Sequence, residues 1–185
     1  NHLALAREKS DSLVRLGLTD KSYAVVTMHR EENVDVVERL KGALEGVSRV
    51  MQQTSITGIM LTHPRTLRRL KEFGLENWAE RLEGIRIEPA VGYLDFLNLL
   101  AHARLVFTDS GGVQQEACIH KIPCITLRDN TEWVETLEIG ANRLAGCDPI
   151  RIESATVEAL SNTPHVTNPF GDGTTARPIV DVVSR

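Results

Sequence analysis

The sequence predicts an α/β fold of the doubly wound kind, a parallel sheet covered by helices on both faces. Three observations lead there. Short apolar, β-branched runs recur roughly every 20 to 40 residues. Segments with apolar residues three and four apart lie between them. Turn-forming residues punctuate several of the junctions. Strands alternating with helices imply right-handed crossovers, and those crossovers build a parallel sheet.

The elements follow in order. Leu3 to Leu18 is apolar at irregular helical spacing until Gly17 breaks the pattern, so a helix or linker leads into the domain. Tyr23-Ala24-Val25-Val26-Thr27-Met28 predicts the first strand. Val37, Leu40, Leu44, Val47 and Met51 share one face of an amphipathic helix over Val36 to Met51. Ile56 to Leu61 is the next strand, and Leu67 to Phe73 a helix stopped by Gly74. Ile85-Arg86-Ile87 predicts a short strand. Leu94 to Ala103 predicts a helix with Phe96, Leu97 and Leu100 on one face. The strand Leu105 to Thr108 feeds a helix over Val113 to His120. Pro123 to Leu127 is a strand, and Glu132 to Ile139 a helix stopped by Gly140. Asn142 to Ala145 and Ile152 to Leu160 complete the pattern as strand and helix. The tail from Asn168 to Ala176 is rich in turn formers and predicts a loop, followed by an end at Ile179 to Val183 without an obvious cap. The expected organisation is a linker or helix over 1–20, a nucleotide-binding domain over 21–165, and a loop with a trimmed tail over 166–185.

Composition narrows the partners. At 185 residues, 42% hydrophobic and 25% charged, the chain suits one soluble domain with a sizeable core. A net charge of −4 argues against nucleic acid or an anionic membrane surface, which call for a basic excess. A nucleotide ligand needs only local positive potential. Cys118, Cys124 and Cys147 are odd in number and show no CxxC spacing, so reduced thiols in a cytoplasmic protein are expected. No apolar run approaches the roughly 18–20 residues of a membrane span. No signal peptide is visible, although the chain begins at Asn1 and reads as a piece of something longer.

In an open α/β sheet the ligand sits beyond the carboxyl ends of the strands. The strand Leu105–Thr108 runs into Asp109-Ser110-Gly111-Gly112 and then a helix. Ser110 suits an N-cap, and the two glycines allow a bulky anion close to the backbone. The helix N-terminus offers free N–H groups and the positive end of the dipole, which suit a diphosphate. Glu116, one turn in, could accept hydrogen bonds from ribose hydroxyls. A tight turn with an ordinary cap is the competing explanation. The first strand ends in His29-Arg30-Glu31-Glu32-Asn33, where the histidine can act as acid or base and the arginine can grip phosphate. There the competing explanation is a solvated helix start capped by Asn33 or Asp35. Two more loops, His63-Pro64-Arg65 and Arg128-Asp129-Asn130-Thr131-Glu132, bring further cations to the same edge. His2, His102, His120 and His165 lack such context and read as surface or core residues. No HExxH or paired Cys/His suggests a metal, and no GxGxxG suggests a nicotinamide or flavin cofactor.

This ordered set resembles the non-hydrolysing UDP-N-acetylglucosamine 2-epimerases. The motifs that carry the resemblance are His29 to Asn33, His63-Pro64, Thr108 to Ala117, Arg128 to Glu132, and Asn168 to Gly173, spanning roughly Ser22 to Val183. The resemblance implies the C-terminal half of two Rossmann-like domains in the glycosyltransferase-B arrangement, with the active site in the cleft between them. It implies a UDP-sugar ligand, no cofactor, and a homodimer for the full-length protein. Ser110, Gly111 and Gly112 would hold the diphosphate, Glu116 the ribose, and Phe96 would lie near the uracil. Arg128 and the loop to Glu132 would line the cleft, His29 would be the catalytic-side histidine, and Arg30 and His63 are expected among the substrate-binding residues. The implied reaction interconverts UDP-GlcNAc and UDP-ManNAc through a 2-acetamidoglucal, with the acid–base carboxylates on the other domain. Glu31, Pro64-Arg65 and Trp133 depart from the pattern of bacterial members and leave room for a related substrate such as a UDP-diacetamido-uronic acid. The donor half of a glycosyltransferase-B enzyme and a non-catalytic UDP-binding module are the alternatives.

Overall fold

The computed structural model describes residues 2–161, 168–171 and 173–184. Among the described residues six strands form one sheet: β1 (Tyr23–Thr27), β2 (Thr57–Thr62), β3 (Ile85–Pro89), β4 (Leu105–Thr108), β5 (Cys124–Thr126) and β6 (Asn142–Leu144). Every pairing is parallel and the order is β3-β2-β1-β4-β5-β6. This is the Rossmann-like order, reversing direction between β1 and β4.

Parallel strands covered on both faces read as continuous apolar runs. The side chains of β1 show how such a run divides. Ala24 and Val26 enter one core with Leu40, Leu44 and Val47, whereas Tyr23 and Val25 enter the other with Leu99, Leu100 and Ala117. The first core is closed by α4 (Val37–Thr54) and α10 (Pro149–Ser161), the second by α7 (Tyr93–His102) and α8 (Gly111–Ile119). The α4–α10 pair approaches closely because of glycine. A Cβ on Gly46 would lie 2.9 Å from the Pro149 Cα, and one on Gly42 would strike the Cys147 carbonyl oxygen.

The elements expected from sequence are present, with corrections at their ends. The N-terminal segment is two helices, α1 (His2–Lys9) and α2 (Ser12–Leu16), ended by Gly17 at φ 63°. They dock on α7, where Ser10 donates to Asp95 at 2.6 Å and Arg15 pairs with the same carboxylate at 2.6 Å. The helix expected from Leu67 begins at Pro64, so α5 is Pro64–Glu72. Proline suits a first helical position because its missing N–H has no partner there. Two short helices lacked enough length for a periodic signal: α3 (Glu31–Val34) and α6 (Glu76–Ala79). The remaining helices are α9 (Val134–Glu138) and α11 (Ala176–Val183). The last is a correction, since the end of the chain reads as an uncapped tail in sequence. No helix among the described residues is long and apolar enough to cross a membrane.

Candidate functional site

The carboxyl ends of β1 and β4 lie side by side, with Thr27 paired to Thr108 and their hydroxyls 2.7 Å apart. Strand order reverses here, so the loops leaving the two strands diverge and open a crevice. A cavity of about 160 Å³ occupies it, lined by His29, His63, Val91, Phe96, Ser110 and Val113 among others. Loops after β1, β2, β3 and β4 all contribute. A larger groove of about 680 Å³ shares Ala90 and Val91 with it and runs toward Arg15, Arg86 and Asp95. Its Arg15 and Arg86 are paired with Asp95 and Glu88, so the smaller cavity has the stronger claim to chemistry.

The β4 turn supplies one wall. Ser110 occupies the N-cap position of α8 with φ −89° and ψ 125°, yet its hydroxyl makes no cap hydrogen bond. The opening amides of a helix have no partner inside it. A hydroxyl with no hydrogen-bond partner among the described residues, those amides and the helix dipole therefore meet at the cavity edge. Gly111 packs beneath the Trp133 indole, whose Nε1 would lie 3.1 Å from a Cβ placed there. Trp133 in turn meets Phe170 edge-on at 5.5 Å, so the tail segment is fastened beside this turn. Asp172 and His165 fall outside the described residues.

The opposite wall is built around Asp109. This carboxylate is fully buried and accepts the backbone N–H groups of His29 and Arg30 at 3.0 and 2.9 Å, and the Asn33 side-chain N–H at 3.1 Å. The His29 Nδ1 lies 3.2 Å from it. Burial by itself would push the acid's pKa up, but the hydrogen bonds from the His29 ring, the Arg30 amide and Asn33 outweigh it and hold the carboxyl below its ordinary range. An acceptor at Nδ1 places the neutral ring's proton there and leaves Nε2 as a lone-pair acceptor. His63 has the reverse arrangement. Its Nδ1 accepts the Arg65 backbone N–H at 3.1 Å, so the neutral ring carries its proton on Nε2. The two rings are 5.4 Å apart between centroids.

Asn33 and Asp35, considered from sequence as caps of a helix start, do not occupy that position: the N-caps of α3 and α4 are Arg30 and Val36, and Asp35 sits at the C-cap of α3. Asn33 lies inside α3, and Asp35 pairs with Arg69 and Arg65 at 2.8 and 2.6 Å, which holds its carboxyl well below the carboxylate range. The cations expected on this edge are unequal. Arg65 is occupied by Asp35 and Glu31. Arg128 is 8% exposed and held by Glu32, Glu132 and Asn130 at 2.8 to 2.9 Å, so it acts as a brace for two carboxylates. Arg30 is exposed, with no ion pair among the described residues.

Phe96 lines the cavity from α7. Glu116 is half-buried on α8 beside the Tyr93 hydroxyl. Burial raises its pKa, against the hydrogen bond from Tyr93 and the charge of His2. His2 also meets Tyr93 edge-on at 5.8 Å, and the His102 Nδ1 bonds the Asn98 carbonyl at 2.8 Å. Among the described residues no group of three His, Cys, Asp or Glu is arranged to hold a metal.

Asp109 and Asn33 are the site residues that sequence reasoning left unassigned. The signal was present, since Asp109 follows the strand directly and Asn33 closes the polar run after β1. What was missing was the knowledge that β1 and β4 are neighbours.

Comparison with known proteins places the chain in one family. A family model described as UDP-N-acetylglucosamine 2-epimerase covers residues 2–184. The UDP-N-acetylglucosamine 2-epimerase of Methanocaldococcus jannaschii is 46% identical over 165 residues, covering 89% of this chain and 45% of that protein. The UDP-2,3-diacetamido-2,3-dideoxy-D-glucuronate 2-epimerase of Pseudomonas aeruginosa is 39% identical over 80% of this chain and 40% of that protein. A crystal structure of the M. jannaschii enzyme in complex with UDP-GlcNAc and UDP superposes with a TM-score of 0.90 at 42% identity, over 99% of this chain and 51% of that one. The chain thus spans about half the length of the curated relatives it matches. With the family model running nearly end to end over the loops that build the cavity, the chain belongs to the UDP-N-acetylglucosamine 2-epimerase family.

Proposed function

We propose that this chain is the UDP-binding half of a UDP-N-acetylglucosamine 2-epimerase, interconverting UDP-GlcNAc and UDP-ManNAc when joined to its other half. One observation carries the proposal. The switch-point cavity has an uncommitted helix N-terminus at Ser110-Gly111-Gly112 on one wall and the His29–Asp109 pair on the other. In the reaction, the proton leaves C2 of the sugar and the C1–oxygen bond to UDP breaks, giving a 2-acetamidoglucal. UDP oxygen then adds back to C1 while a proton reaches C2 from the opposite face. The difficult charge is the departing diphosphate, and preorganised N–H donors at a helix start stabilise it without reorganisation.

Ser110, Gly111 and Gly112 hold that diphosphate, with Arg30 as the exposed cation beside them. Phe96 packs on the uracil, and Glu116 receives the ribose hydroxyls. His29 faces the leaving group with Nε2, and His63 offers its N–H across the same cavity. Arg128 serves indirectly by fixing Glu32 and Glu132. The carboxylates that move the C2 proton belong to the other half, the intact protein is a cytoplasmic homodimer, and nucleic acid is no partner.

Calorimetric titration with UDP tests this on the chain itself. Saturable binding is expected, and Ser110→Asp is expected to remove it by setting a carboxylate against the diphosphate. Absence of binding, or unchanged binding in the variant, overturns the assignment. The chain alone is expected to show no epimerisation of UDP-GlcNAc, so turnover by it would place the C2 acid–base groups here instead.

A further inference from the structure

The His29 ring lines the cavity with its Nδ1 against Asp109, and Asp109 is held by a residue with its own support. Asn33 is fully buried and uses its whole amide. Its N–H groups go to the Asp109 Oδ2 at 3.1 Å and the Leu127 carbonyl at 2.8 Å. Its Oδ1 accepts from the Arg39 Nε and Nη2 at 3.2 and 3.1 Å and from the Cys147 thiol at 3.2 Å. An inverted amide would set oxygen against a carboxylate and a carbonyl, and N–H against a guanidinium. Every partner therefore favours one orientation. Arg39 is itself anchored by Asp129 at 3.1 Å.

We propose that Arg39 and Asn33 are positioning residues for His29: Arg39 sets the Asn33 amide, Asn33 locks the Asp109 carboxylate, and Asp109 keeps the His29 proton on Nδ1. The inference rests on the proposed placement of His29 at the leaving diphosphate. It adds a control point on α4, outside the cavity lining. A charge-assisted contact from Arg39 strengthens the amide's hold because polarised hydrogen bonds reinforce one another along a chain.

Nitrogen NMR of the neutral His29 ring in the ligand-free protein tests this, because the two tautomers have distinct signatures. Wild type is expected to show a majority with the proton on Nδ1. Arg39→Met is expected to lose that majority, and Arg39→Lys, which keeps a charged donor, to restore it in part. Arg39→Gln provides a second uncharged variant should the methionine variant fold poorly, and it is expected to fall between them. If Arg39→Met and Arg39→Gln lower thermal stability yet keep the wild-type tautomer, Arg39 is merely structural and the proposal fails. UDP is absent throughout, so failure to bind UDP cannot produce either result. Adding UDP afterwards and following the same signal reports separately on whether His29 lies at the ligand.

Discussion

The Nδ1 of His29 and the carboxylate of Asp109 lie 3.2 Å apart although 80 residues separate them in the chain. The same carboxylate accepts the backbone N–H groups of His29 and Arg30. One buried acid therefore fixes both the course of the β1 loop and the tautomer of its histidine. An amide in its place would set a neutral oxygen and an N–H where several donors converge. Asp109→Asn is expected to cost about 2–4 kcal/mol of stability, as for a buried charge-assisted network losing its acceptor. Urea denaturation with and without the substitution measures it. A change of less than about 0.5 kcal/mol would show that the network is dispensable.

Acid denaturation carries the same signature. The Asp109 carboxyl sits below its ordinary range in the folded state, so its contribution is complete above the unfolded value of about 3.9 and is lost as pH falls through the folded value. Wild type is expected to lose stability more steeply than Asp109→Asn below about pH 4. Parallel acid transitions in the two proteins would count against that assignment.

Tyr23 gives the alkaline counterpart. Its hydroxyl is buried and donates to the Leu99 carbonyl at 2.5 Å, and burial drives its pKa upward from 10.0. The unfolded phenol ionises first. The stabilisation is complete below about pH 10 and fades as pH rises toward the higher folded value. Tyr23→Phe is expected to flatten the loss of thermal stability between about pH 9 and 11, measured by melting at each pH.

Two glycines are expected to respond differently to alanine. At Gly46 the added Cβ meets the Pro149 backbone at 2.9 Å and the Ile152 side chain at 2.8 Å, so α4 and α10 must separate. Gly46→Ala is expected to cost about 1–3 kcal/mol, more than the roughly 1 kcal/mol of helix propensity gained. At Gly111 the added Cβ meets the Trp133 ring at 3.1 Å, which can swing aside. Gly111→Ala is expected to melt within a few degrees of wild type and to bind UDP about tenfold more weakly, because the backbone is held off the diphosphate. Equal melting shifts for both variants would refute the distinction.

Arg128 offers a test of the brace. With Glu32 and Glu132 at 2.8 and 2.9 Å, its removal leaves two carboxylates without their counter-charge. Arg128→Met is expected to weaken UDP more at low salt than at high salt, since the freed acids repel the diphosphate through a screened field. A salt-independent loss would count against this charge-based account of Arg128.

The fold class is legible in the amino-acid order alone, because parallel strands, amphipathic helices and the turns between them leave local signals. β1 and β4 are continuous apolar runs, and α4 carries its face at helical spacing. The same order marks Ser110-Gly111-Gly112 and the His29 and His63 loops as neighbours of a ligand edge. Which charges are free at that edge depends on contacts between distant segments. Arg65 and Arg128 look like anion ligands in sequence, yet Glu31 and Asp35 from the β1 loop neutralise the first, and Glu32 from that loop joins Glu132 of its own loop on the second. Asp109 looks like part of a turn, yet it organises the loop from β1. α3 and α6 are too short to show a period, and α11 follows a run of turn formers, so none could be read locally. The difference is one of range. Hydrophobic period and turn chemistry act within a few residues, whereas hydrogen bonds and ion pairs form between whichever side chains the strand order brings together.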